Sequence, residues 1–159
     1  MTNIYRNTAL ASALALAMGL SSLAMADSDT FNVTATVEGV CSLTAGNDLA
    51  FGNYNPVTGA AVDGTTTIAV TCSNGLTGIE VGLAYSGEMV FDTTNILTYG
   101  LFQDDGHATA WGDTVAVDRQ AVTADGTEQE MTVYGQIDAN QTTAPVGSYT
   151  ETVTATVYL

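Results

Sequence analysis

Apolar and polar positions alternate along most of this chain with a period of two, and nowhere does an i, i+3, i+4, i+7 apolar face persist long enough to predict a helix. Phe31, Val33, Ala35 and Val37 alternate with Asn32, Thr34 and Thr36. After a turn over Ala45-Gly46-Asn47-Asp48, Leu49 to Tyr54 reads as a short extended piece. Thr66 to Cys72 places Ile68, Val70 and Cys72 on one face, and Ser73-Asn74-Gly75 turns the chain into Ile79, Val81 and Leu83. Leu97 to Phe102, Val115 with Val117, and Met131 to Ile137 repeat the pattern. Tyr149 to Leu159 ends it, with Val153, Ala155, Val157 and Leu159 on one face. Gly59 to Gly64, Thr123 to Glu130 and Asp138 to Gly147 read as loops, and Gly87 to Asn95 carries no clear pattern. Short β-branched runs separated by Gly, Asn and Asp predict an all-β fold, an antiparallel β-sandwich.

The first and last of these runs stand apart. TFNVTATV and TVTATVYL are both long alternating strands, and no hairpin turn ties the first to the next segment. A sandwich that closes on itself needs no extra strand at its start. The pattern therefore predicts a sheet with one strand too many in sequence and one too few in space.

Composition narrows the setting. Arg6 precedes an apolar run from Ala9 to Ala24, and Ala24-Met25-Ala26 has the small-x-small form that signal peptidase cuts, so residues 1–26 read as a cleaved signal peptide and the protein as exported. The run is short for a membrane span. The remainder is long enough for one domain with a real core. Arg119 is its single basic residue, set against all 17 carboxylates of the sequence. So acidic a surface repels nucleic acid and anionic lipid, and it suits a soluble secreted assembly or a saline habitat. Cys41 and Cys72 are an even pair in an oxidising compartment, read most simply as a disulfide.

Candidates for chemistry are sparse. Asp104, Asp105, His107 and Asp113 are metal-ligand residue types, but their spacing fits neither a calcium loop nor a zinc helix motif. They read as a polar surface loop around one packed Trp111. A single His, no GxSxG and no activating partner near either Cys leave no nucleophilic site, so neither an enzyme nor a cofactor is expected.

An alternating strand leading to Cys41, then LAFGNY (49–54), TTTIAVTCSNG (65–75), LTYGLFQDD (97–105), WGD (111–113), VYGQI (133–137) and GSYTETVTATVYL (147–159) together resemble, in order, the spore coat protein U domain family, which includes pilins of archaic chaperone-usher pili. The resemblance implies an immunoglobulin-like sandwich lacking its last strand, over residues 39–159, with an open groove beside Thr152 to Leu159. It implies that an extension, residues 27–38, donates Phe31, Val33, Ala35 and Val37 to another copy, with a hinge at Glu38-Gly39. The groove-edge strand carries Val153, Ala155, Val157 and Leu159. The expected partners are other copies of the chain in a head-to-tail polymer, a periplasmic chaperone and an outer-membrane usher. The expected place is an extracellular adhesive pilus of the biofilm type. A self-complete secreted module for carbohydrate or another surface polymer, or a coat component, is the alternative.

Overall fold

A computed structural model of the chain describes residues 26–159. The expected signal peptide thus lies, except for Ala26, outside the described residues. All strands belong to one compact unit, Thr36–Leu159; Ala26 to Ala35 belong to another and carry no strand. Among the described residues there is no helix, and the strands in chain order are β1 (Cys41–Ala45), β2 (Val62–Cys72), β3 (Glu80–Ala84), β4 (Glu88–Val90), β5 (Ile96–Phe102), β6 (Gln120–Ala121), β7 (Glu128–Ile137) and β8 (Thr154–Tyr158).

They form a five-stranded sheet, β1-β2-β7-β5-β4, and a three-stranded sheet, β6-β3-β8, with every ladder antiparallel. The period of two dictates what each strand buries. Ile68, Val70 and Cys72 of β2, Leu97, Tyr99 and Leu101 of β5, and Met131, Val133 and Ile137 of β7 face Val81 and Leu83 of β3 across a single core. Trp111 is fully buried there, as its sequence context predicts, and its indole N–H donates to the Val81 carbonyl at 2.9 Å. An amphipathic ring in a dry site needs such a partner.

Cys41 stands directly opposite Cys72 in the β1–β2 ladder and is bonded to it, with the Cα atoms 4.1 Å apart. The staple fixes β1 in one register against β2.

Several expected boundaries move. β2 begins at Val62 rather than Thr66, and β7 at Glu128, because the two strands pair without a break from Val62 opposite Ile137 to Thr71 opposite Glu128. Backbone pairing carries both strands beyond their apolar stretches. Leu49 to Tyr54 forms no strand; its side chains act instead. Gly64 and Gly135 face each other across the ladder, and a Cβ on Gly135 would lie 2.9 Å from atoms of Leu49 and Phe51, so two bare backbones make the seat for those side chains. Val115 and Val117 are exposed in a turn, not a strand, with Ala116 at φ 58° and Asp118 Oδ1 accepting the Thr114 N–H at 2.6 Å. The unpatterned stretch from Gly87 becomes β4 and a tight turn, in which Asp92 accepts the N–H groups of Thr94 and Asn95 at 2.9 and 2.8 Å. Those bonds, the Thr94 N–H first, hold the Asp92 carboxyl down at about 2.

The staple closes a sequence separation of 31 residues. Replacing both cysteines with serine is expected to lower unfolding free energy by about 3 to 4 kcal/mol, read as a fall in the guanidinium midpoint relative to the oxidised protein.

Candidate strand-acceptor groove

The two sheets leave one seam unclosed. β8 is laddered to β3 on one side, and among the described residues no strand pairs with its other edge; β1, the outer strand of the larger sheet, is likewise bonded only to β2. Between them runs a groove of about 540 Å³. Ala45 and the following Gly46 to Leu49 form one wall, Tyr149 to Val153 with Ala155 the other, and Ile68, Leu83, Leu101 and Val133 the floor. The core is thus visible from outside along an unpaired backbone edge.

The opposite flank is closed. Thr150 exchanges two backbone hydrogen bonds with Val90 of β4, at 3.0 and 3.1 Å, before the chain crosses to the smaller sheet and joins β3 from Thr154 onward. This switch of sheets explains why the regular last strand is only Thr154–Tyr158 although the alternation starts at Tyr149.

Of the residues the sequence nominates for the groove edge, Ala155 and Val157 are half-buried and point to the core opposite Leu83 and Val81. Val153 lines the groove at its mouth, and Leu159 lies beyond the strand and is exposed. Sequence patterning misses Leu49, Phe51 and Tyr149, which complete the walls. The only signal for the first two is the Gly64 and Gly135 pair, legible once the register is known. The nominated donor residues Phe31, Val33 and Val37 are exposed, and no strand forms from Ala26 to Val40.

The far end of β8 is locked on its outer face. Arg119 lies 3.5 Å over the Tyr158 ring and donates from Nε to Asp113 Oδ1 at 3.0 Å, while the Tyr158 hydroxyl donates to Asp113 Oδ2 at 2.9 Å. Gly82 makes the space: a Cβ there would fall 2.2 Å from Asp113 Oδ1. A cation held between an aromatic face and a carboxylate fixes the C-terminal end of β8.

At the mouth, Glu151 accepts the Ser86 N–H. Burial pushes its carboxyl upward, but the Ser86 N–H and the Tyr99 hydroxyl outweigh that and hold it below its usual value. Burial first, and Glu151 beside it, push the Tyr99 phenol far up.

The metal-type residues separate. Asp104 caps the Ala108 and Thr109 N–H groups, His107 stacks edge-on against Phe102 and lies 3.8 Å from Asp63, and Asp113 belongs to the Arg119 clamp. No group of three or more His, Cys, Asp or Glu residues is placed to hold a metal ion among the described residues.

The Spore Coat Protein U domain matches residues 27–156. The chain belongs to that family. Among solved structures it is similar to the CsuC–CsuE complex of a chaperone with a tip adhesion subunit, from archaic chaperone-usher Csu pili of Acinetobacter baumannii, at a TM-score of 0.56 and 20% identity. The likeness covers 78% of this chain and 41% of that one, and it carries the fold: an incomplete immunoglobulin-like sandwich. No curated protein matches the sequence. In this spore coat protein U domain the family match takes in the exposed alternating segment as well as β1 to β7 and the start of β8.

A depressed carboxyl contributes stability above its unfolded pKa, near 4.3 for Glu, and loses it as pH falls through the folded value. The melting temperature is therefore expected to fall from pH 6 toward pH 3, and Glu151→Gln to flatten that slope, measured by thermal unfolding at each pH.

Proposed function

We propose that the protein is a structural, non-enzymatic subunit of an adhesive surface pilus assembled by the archaic chaperone-usher pathway through donor-strand exchange. The observation that carries this is the groove: an unpaired β8 edge lying over exposed core, in a chain that also carries an exposed apolar alternation from Phe31 to Val37. An extended segment added to β8 satisfies its backbone donors and acceptors, and every second side chain drops onto the floor. Burying Phe31, Val33, Ala35 and Val37 contributes about 5 to 10 kcal/mol before ordering costs, an upper bound on area grounds.

The donor is another copy. The Val40 carbonyl accepts the Ser73 N–H at 2.8 Å, carrying the β1–β2 pairing one residue outward, and the Val40 N–H donates to Ser73 Oγ at 3.1 Å, so self-insertion would require a reversal inside that tethered stretch. Donation from copy to copy is head-to-tail and does not close, so it propagates as a fibre. A periplasmic chaperone covers the groove before assembly, and an outer-membrane usher exports the growing fibre to the cell surface. The chaperone named in the related complex supports the first of these partners.

Removing residues 27–37 is expected to abolish the heat-sensitive ladders seen on unboiled gels when the intact chain is produced with its chaperone and usher. A synthetic peptide of residues 27–38 added to the truncated, chaperone-released protein is expected to raise its melting temperature, while a peptide with Val33→Asp is not. Ladders that persist without residues 27–37 would sink the proposal.

A further inference from the structure

The expected hinge at Glu38-Gly39 is no free joint. Ser73 Oγ donates to the Glu38 carbonyl at 3.4 Å and accepts the Val40 N–H at 3.1 Å. Gly39 lies so close to Leu76 that a Cβ there would be 2.5 Å from Leu76 Cδ2. The body of the molecule therefore begins at Glu38, next in sequence to the last apolar residue of the donor segment. Adjacent Cα atoms are about 3.8 Å apart, which leaves no spacer between a Val37 seated in one molecule and the body of its own.

The orientation of the inserted strand decides where that body lands. Every ladder in this fold is antiparallel, and antiparallel pairing is the more stable per residue. A strand antiparallel to β8 has its C-terminal residue, Val37, at the Val153 end of the groove. At that end lies an apolar platform: Val90, Phe91 and Ile96 are each between 41% and 47% exposed, and Val146 is 99% exposed. Phe91 stacks at 5.8 Å on Tyr149, which lines the groove itself, so platform and groove are continuous. On the donating molecule, Val40 is exposed immediately beside the crossing point.

Resting on the donor-strand reading, we infer that consecutive copies also meet body to body. The root of one molecule, Val40 with the Ser73-Asn74-Gly75 turn, sits on the Val90, Phe91, Ile96 and Val146 platform of the molecule whose groove it fills. The occupant is a second copy because the direct step from Val37 to the anchored Glu38 brings that copy's root to this end of the groove. The contact fixes the angle between neighbours, where a free linker would leave it loose.

Photo-crosslinking in assembled fibres tests this. Benzoylphenylalanine is placed at Val146, at Ile96, and, as a probe of the opposite end, at Leu159; fibres are irradiated, digested with a glutamate-specific protease and mapped by mass spectrometry. Crosslinks from positions 96 and 146 to the peptides holding Val40 or Ser73 to Gly75 are expected, with none from position 159. Crosslinks from position 159 instead, or from no position while the ladders remain intact, overturn the body contact and leave strand exchange standing. Absence of ladders from the unsubstituted chain defeats strand exchange and the contact with it.

Discussion

The unpaired edge of β8 is the constraint on which the rest of the structure depends. A buried backbone N–H or carbonyl without a partner is costly, so the fold must keep that edge open to water or to an added strand, and must not let neighbouring elements collapse onto it. The disulfide serves this end by holding β1 against β2, so that β1 cannot slide across the seam. The Val90–Thr150 bonds hold the mouth, and the Arg119, Asp113 and Tyr158 cluster holds the far end. A small domain tends to collapse over an open groove, and three separate devices frame this one.

The strands that face the core from both sheets were legible because their chemistry alternates: Val81 and Leu83, or Met131 and Val133, announce their faces without help. What escaped was structure set by register and by close approach. Nothing in Leu49 or Phe51 says that they pack over two glycines, since Gly64 and Gly135 lie far apart in sequence and meet only in the β2–β7 ladder. Val115 and Val117 alternate like a strand but sit in a turn that Asp118 stabilises, a local hydrogen bond overriding an apolar pattern. The groove itself is signalled in the sequence as a missing strand, yet its mouth, built by Tyr149 and Glu151 where the chain changes sheets, has no sequence signature.

Charge and the proposed strand exchange between copies pull in opposite directions. The chain carries a formal net charge of −15, so like molecules repel at long range. In the proposed fibre, cohesion then comes from short-range terms that salt does not screen, backbone pairing along β8 and apolar burial in the groove and on the Phe91 platform. On the proposed reading, acidity holds like molecules apart at long range and an inserted strand supplies the cohesion.

The clamp around Arg119 carries a consequence of another kind. Beyond the expected signal peptide, Arg119 is the sole Lys or Arg in the sequence, and its side chain is only 10% exposed, folded between a phenol ring and two carboxylates. Proteases that cut after basic residues have one bond to attack, and that bond lies beside a side chain the enzyme cannot extract without unfolding the end of β8. Reagents that seek lysine amines find none. The residue that steadies the end of β8 also leaves the folded protein without an accessible tryptic site.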